Sequence, residues 1–355
     1  MRVGISLLTL APGRMGGSEV HARSLCRALA RVGEEEYEAL VTALAPDAGE
    51  GLPTRIVGSY RTGRTVPARL VSLATARVSR RLRREMGLER MDVIHFPLSA
   101  MVPPVDRPPS VVTVHDVQHL VMPRFFSPGT LAYRRLTYGW TAKRAHVIIV
   151  FTSHGAEMVV DHLGVSRSRV VVVPSGVDHA RFSAPPAGTA REPFLLYPAN
   201  AWPHKNHGVL FEAFALLRRE RPELRLVLTG AGHDPAAAPP GVEVRGYVTQ
   251  EELVELYRRA AAMVFPSLYE GFGQPLLEAM ACGCPVAASG VSSIPEVCGG
   301  AARLFDPTSA EAVADAVADV LRSGETWAAL GLEHAAGFSW ERTARATEAV
   351  YRGLA

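Results

Sequence analysis

The chain has 355 residues, of which 48% are apolar and 21% charged, a length and balance that favour two globular domains and exclude a disordered chain. Its 38 basic and 35 acidic residues leave a formal net charge of +3, so the global basic field of a nucleic-acid binder is absent. No apolar run approaches the ~18–20 residues of a membrane span, and Cys26, Cys282, Cys284 and Cys298 are too scattered for a disulfide framework or a zinc set, reading instead as reduced hydrophobes of a cytoplasmic protein.

The first apolar run, Val3–Leu8, follows Met1-Arg2 and mimics the core of a signal peptide. No small-residue cleavage site follows, and the run opens into Gly13-Arg14-Met15-Gly16-Gly17. It reads as a buried strand and a glycine loop, with Ser18 as N-cap of a helix over 19–31. The loop lacks the G-x-G-x-x-G spacing, so close backbone approach to a ligand and a simple turn fit it equally. Arg61–Arg84 carries eight arginines and no acidic residue before Glu85. Leu70, Val71, Leu73, Ala74 and Val78 interleave with them at helical spacing, which predicts an amphipathic helix with a basic face. A solvated helix is the plain reading. Contact with anionic headgroups at a membrane, or with a phosphorylated acceptor, is the sharper one.

Strands are predicted over 92–96, 111–115, 146–151 and 170–174. Their runs are continuously apolar rather than alternating, as in a parallel sheet buried on both faces, and helices intervene. Right-handed βαβ units then give a doubly wound sheet. His115 ends one strand, with Asp116 placed to orient it or to cap the next turn; a satisfied strand-end histidine fits as well. The alternation breaks at Ala184-Pro185-Pro186-Ala187-Gly188-Thr189. This predicts a first domain over 1–183, a linker over 184–193, a second domain over 194–338, and a segment over 339–355 whose helix follows Ser339 and packs back on the first domain. Two such halves facing each other would leave a cleft at the carboxyl ends of their strands.

In the second half, strands are predicted over 194–198, 224–229, 242–245, 263–266, 285–289 and 302–305. After the first comes Tyr197-Pro198-Ala199-Asn200-Ala201-Trp202-Pro203-His204-Lys205-Asn206. Lys205 is one of only two lysines in the chain, the other being Lys143, and is a flexible point charge suited to a diphosphate or simply to solvent. After the strand ending at Pro266 comes Leu268-Tyr269-Glu270-Gly271-Phe272-Gly273-Gln274-Pro275-Leu276-Leu277-Glu278, opening a helix over 275–282 with Gly283 at its end. Bare glycine backbone before a helix N-terminus suits an anion, and the two carboxylates suit sugar hydroxyls. A tight turn followed by a solvated Glu278 suits the same residues. No Asp-x-Asp, G-x-x-x-x-G-K-[ST] or G-x-S-x-G occurs, so a metal site, a P-loop and a nucleophile elbow have no candidate.

Glu270 to Glu278 resembles the E-x7-E motif of the retaining glycosyltransferases of family 4, which have the two-domain GT-B fold. Gly16-Gly17, His115-Asp116, Val173-Pro174-Ser175-Gly176-Val177-Asp178, Pro203-His204-Lys205-Asn206, and Gly246-Tyr247-Val248 followed by Glu251-Glu252-Leu253 fall in the family's order, and Trp340 opens a closing helix. The resemblance implies a GT-B fold of two Rossmann-like domains and a nucleoside-diphosphate sugar as co-substrate, with no metal and no other cofactor. By the same resemblance Lys205 neutralises the donor diphosphate, Glu278 holds the ribose hydroxyls, and Glu270 meets the transferred sugar beside the amides of Phe272 and Gly273. His115 is the cleft histidine, Gly16 and Gly17 form the loop over the reacting centre, and Gly246, Tyr247 and Val248 seat the nucleobase. Asn200, Gly271, Gln274, Pro275 and Leu276 complete the implied donor set. Many members carry an arginine several positions before the lysine. Here Ala199-Asn200-Ala201-Trp202 leaves a neutral amide, a pattern that resembles a branch using GDP-mannose. The implied reaction is hexosyl transfer, mannosyl from GDP-mannose favoured, to a hydroxyl acceptor such as a lipid-linked glycan. A nucleotide-sugar epimerase or phosphorylase on the same fold, and a non-catalytic binding module, are the rival readings.

Overall fold

The computed structural model describes residues 1–354 apart from Thr62 and Arg64, so Arg64 of the basic stretch and Ala355 lie outside the described residues. The chain divides into two compact units, one formed by Met1–Gly176 together with the residues from Trp340 onward, the other by Val177–Ser339. The division falls at Gly176 and Val177, ahead of the proline-rich segment, and residues 177–183 belong to the second unit.

The first unit is built on strands β1 (Arg2–Ser6), β2 (Glu36–Val41), β3 (Thr54–Ile56), β4 (Val93–Phe96), β5 (Ser110–Thr113), β6 (Val147–Val150) and β7 (Val170–Val172). They pair in parallel in the order β3-β2-β1-β4-β5-β6-β7. Neighbouring residues on one strand go to opposite faces. Val93 and Val111 join one apolar cluster with Leu25 and Trp340, while Ile94 and Val112 join the other with Leu82 and Ile148. Burial on both faces is why a strand such as β6, Val-Ile-Ile-Val, is apolar at every position. Sequence patterning did not reveal β2 and β3. The first begins Glu36-Tyr37-Glu38, and the second is a three-residue edge strand with Ile56 exposed.

The second unit carries β8 (Glu192–Pro198), β9 (Arg225–Thr229), β10 (Val242–Gly246), β11 (Ala260–Phe265), β12 (Val286–Ser289) and β13 (Arg303–Phe305), again parallel, in the order β10-β9-β8-β11-β12-β13. In each unit the order reverses direction once, between β1 and β4 and between β8 and β11. A crevice opens where the loops after two such neighbouring strands diverge, and it is where doubly wound sheets bind ligands.

Two local expectations change. The helix after the first glycine loop runs Gly17–Val32, and its N-cap is Gly16 rather than Ser18. Gly16 has φ 56° and ψ −131°, a backbone that only glycine adopts without strain, so the helix starts two residues earlier. The basic stretch forms two helices, Val66–Val78 and Arg80–Met86, divided at Ser79, whose hydroxyl accepts from the Leu82 amide. Leu82 and Met86 are buried, whereas Leu70, Val71 (64% exposed) and Val78 (77% exposed) face outward.

The closing helix, Trp340–Arg352, packs on the Gly17–Val32 helix. Buried Tyr351 places its hydroxyl 2.7 Å from Nδ1 of His95 on β4. Buried Glu348 accepts from the Tyr37 hydroxyl of β2 at 2.6 Å and from the Glu34 amide at 2.7 Å. Replacing Glu348 with alanine strands both donors. We expect Glu348→Ala to lower the unfolding free energy by about 1.5–3 kcal/mol in a denaturant titration; an unchanged midpoint would mean that these bonds do not anchor the helix.

Candidate active site

The loops leaving β8 and β11 are stitched together at the reversal point of the second sheet. Tyr197, the buried aromatic near the end of β8, donates its hydroxyl to the Lys205 carbonyl at 2.8 Å and lies 3.2 Å from the Ser267 hydroxyl. Asn206 sits in the left-handed region, at φ 59°, and its Nδ2 donates to the carbonyls of Pro266 and Pro307. The Leu268 amide donates to the His204 carbonyl at 2.8 Å.

This framework brings Lys205 and Glu270 together. Nζ lies 2.5 Å from Oε1, with the two side chains 12% and 13% exposed, and 5.2 Å from the centroid of the Phe265 ring. Glu270 is fixed from behind, since the hydroxyls of Ser292 and Ser293 both donate to its backbone carbonyl, at 2.8 and 2.9 Å. The helix that follows, Gln274–Ala281, starts at Gly273, where φ is 95° and a Cβ would come within 2.9 Å of Leu276. Glycine is required there and, lacking a side chain, cannot itself cap the first turn, so the positive end of the helix dipole lies just beyond Glu270 in the chain. Phe272 and Leu276 are buried under that turn, while Gly271, Gln274 and Pro275 are half-buried.

Glu278 stands on the same helix among other elements. Its Oε2 accepts from the hydroxyl of Tyr257, on helix Gln250–Arg259, at 3.3 Å. Burial pushes its carboxyl up to about 7, against the opposing pull of the Tyr257 hydroxyl and the Arg181 guanidinium. Arg181 belongs to the segment at 177–183, which Arg258 pins by donating to the carbonyl and hydroxyl of Ser183. The two glutamates of the motif therefore differ in surroundings: one is ion-paired, the other sits next to a tyrosine hydroxyl.

Asn200 departs from its expected use. Its Oδ1 accepts from the Ala231 amide at 2.7 Å, tying its loop to the one after β9, so only its Nδ2 is left to donate to a ligand. Gly246 has φ 64° and accepts from the Gly230 amide, and Tyr247 beyond it is 77% exposed, with Val248 half-buried.

In the first unit, His115 lies just past β5 and its Nε2 donates to the carbonyl of Pro97, just past β4, at 2.7 Å. Its remaining nitrogen, Nδ1, is then an acceptor. Burial pulls this imidazole down from its usual range, so it is neutral at physiological pH. Asp116 does not orient it. The Asp116 Oδ1 accepts from the Gln118 amide and caps the next turn, because a short side chain reaches an amide two residues on more readily than the preceding ring. His115 is packed edge-on by His21 at 5.3 Å and by Phe151 at 5.1 Å. Gly16 and Gly17 begin the helix that carries His21, and the Gly13 amide of that loop donates to Glu19. Tyr257, Arg181, Ser292, Ser293 and His21 went unread in the sequence.

Among the described residues, no group of three His, Cys, Asp or Glu side chains is arranged to hold a metal ion. No helix among them is long and apolar enough to cross a membrane.

Two family models match: "Glycosyltransferase Family 4" over residues 15–181 and "Glycosyl transferases group 1" over residues 192–323. The chain is 28% identical over 269 residues to O-antigen chain mannosyltransferase B of Escherichia coli, covering 69% of this chain and 70% of that protein. It is 31% identical over 236 residues to D-inositol 3-phosphate glycosyltransferase of Streptomyces avermitilis, covering 58% of this chain and 51% of that protein. Against other curated mannosyltransferase relatives it spans 27% to 66% of their length. Among solved structures, Alr3699/HepE of Anabaena in complex with UDP and glucose superposes with a TM-score of 0.72 at 16% identity, over 99% of this chain and 100% of that one.

An anion entering beside Lys205 meets a lysine already neutralised by Glu270. Removing that competing charge exposes the ammonium. We expect Glu270→Gln to bind inorganic pyrophosphate about tenfold more tightly than the wild type in calorimetry, roughly the 1.4 kcal/mol of one ion pair. Weaker or equal binding would mean that the pair does not gate the anion.

Proposed function

Since the chain belongs to glycosyltransferase family 4, we propose that it transfers a hexosyl group, mannosyl favoured, from a nucleoside-diphosphate sugar to an acceptor hydroxyl, with retention and without a metal ion. Its two doubly wound sheets are those of the GT-B fold. The Lys205–Glu270 pair at the sheet reversal, beside an uncapped helix N-terminus, is the observation that carries the reading. A diphosphate needs positive charge and oriented amides, which Lys205 and the helix N-terminus offer.

In this reading the bond between the anomeric carbon and the diphosphate oxygen breaks as the acceptor oxygen bonds to the same face of that carbon. The acceptor proton passes to the departing diphosphate. Lys205 and the helix dipole stabilise the charge that develops on the leaving group. Glu270 accepts from the sugar hydroxyls once the anion has drawn Lys205 away, and Glu278 accepts from the ribose. Gly246, Tyr247 and Val248 line the place of the base, with the Asn200 amide turned to the phosphates. His115 offers Nδ1 to a sugar hydroxyl, and Gly16 and Gly17 offer bare backbone. The O-antigen relative supports the mannosyl preference and the UDP complex supports a nucleotide-linked donor. The inositol-phosphate relative supports an acceptor that carries a phosphate beside its free hydroxyl.

Incubation with GDP-mannose, UDP-glucose and dTDP-glucose, each with a panel of sugar and lipid-linked acceptors, tests the reading by NMR of the product. We expect an α-mannoside from GDP-mannose, undiminished by EDTA. A β-linked product, loss of turnover on chelation, or release of a free epimer would each overturn it.

The acceptor side includes the basic stretch. Arg77, Arg80, Arg81 and Arg84 are exposed beside Leu70, Val71 and Val78, the pairing of charge and apolar surface that binds an anionic interface. We expect co-sedimentation with phosphatidylglycerol vesicles at low salt. Reversing Arg80, Arg81 and Arg84 to glutamate should abolish it, and unaffected pelleting would assign the stretch to solvent.

A further inference from the structure

We propose that Tyr257 is a positioning residue for nucleotide recognition: by donating its hydroxyl to one carboxylate oxygen of Glu278, it fixes the orientation and charge in which that carboxylate grips ribose. The inference rests on the reading of Glu278 as the ribose-binding group. Tyr257 is fully buried on helix Gln250–Arg259, with its ring set edge-on against Phe182 at 6.3 Å. A ring so enclosed cannot turn its hydroxyl elsewhere, and that hydroxyl donates to Oε2 of Glu278. One oxygen is thereby engaged by the protein, and Oε1 is left to accept from a ligand hydroxyl.

Three elements surround this carboxylate. Helix Gln250–Arg259 brings Tyr257, with Arg258 and Glu255 beyond it near Cys282; the 177–183 segment brings the Arg181 guanidinium; and the helix of Glu278 itself ends at Cys282. Burial is the largest influence and favours the protonated acid, placing its titration at about 7. The tyrosine hydroxyl and Arg181 act in the other direction, toward the carboxylate. A ligand hydroxyl is bound best by the ionised form. Nucleotide affinity should therefore rise with pH as the acid ionises through about 7 and level off above it. Removing the tyrosine hydroxyl should push that rise to higher pH.

Calorimetric titration of the full chain with GDP and UDP between pH 5.5 and 9 tests this. For the wild type we expect affinity to climb through about pH 7, and for Glu278→Gln a weaker profile that lacks this step and keeps only the ionisation of the ligand's terminal phosphate at about 6. Tyr257→Phe should bind about three- to tenfold more weakly at pH 7, with its midpoint displaced upward. Replacement of Tyr257 by 3-fluorotyrosine keeps the ring and its packing but makes a stronger donor, and should displace the midpoint downward; it also serves if the phenylalanine variant fails to fold. A tyrosine that only packs would change the melting temperature and leave the midpoint in place. An unmoved midpoint in the fluorinated protein, or in folded Tyr257→Phe, overturns the proposal. If Glu278→Gln retains wild-type affinity and pH profile, the ribose reading of Glu278 falls and the proposal falls with it, an outcome distinct from an unmoved midpoint over an intact Glu278 effect.

Discussion

Parallel pairing is the constraint on which everything else in this molecule rests. When every strand of a sheet runs the same way, every loop after a strand emerges at one edge, and each return path must cross a face. The faces are then covered and strands become apolar at every position, as β6, β7 and β11 are. Polar chemistry is displaced to the loops at the carboxyl edge. Where the strand order reverses, two of those loops diverge, and between β8 and β11 that divergence is bridged by Tyr197, Asn206 and Leu268 rather than left open to fluctuate.

The chemistry of that edge follows from how charge is tolerated when half-buried. A lysine and a glutamate withdrawn from water need partners. They partner each other, while a serine pair holds the Glu270 backbone in place. Glu278 meets the same problem differently. With no cation bonded to it, it moves toward the neutral acid and takes a hydrogen bond from a tyrosine. One motif spacing thus yields two carboxyl groups of unlike character.

Much of this was legible in residue order. The long apolar strands, the glycines before Pro275 and the lone lysine after β8 each carry a local signature, and the interrupted alternation near Pro185 signalled two α/β halves. What stayed hidden is set by contacts between distant residues. β2 opens on two glutamates and β3 has three residues, so neither has the apolar run that marks its neighbours. The Asp116 carboxylate was legible as a cap or an orienter, and only the position of the Gln118 amide selects between them. Tyr257 lies in an ordinary amphipathic helix pattern, and nothing local says that its hydroxyl ends at a glutamate 21 residues later. The proline-rich segment is a conspicuous break in pattern, yet the packing of Phe182 and Ser183 against helix Gln250–Arg259 ties the residues before it to the second unit.

The return of the closing helix also has a consequence for how the chain is made. The second unit is contiguous, from Val177 to Ser339, so its core needs no residue from outside that span. The first unit is not. Trp340, Ala344 and Tyr351 belong to the apolar cluster that also holds Val3, Ile5 and Leu25, and that cluster stays open until they emerge. The part synthesised first is thus the part finished last, and a chain cut after residue 339 would keep every residue of the second unit while leaving the first unit's apolar cluster bare.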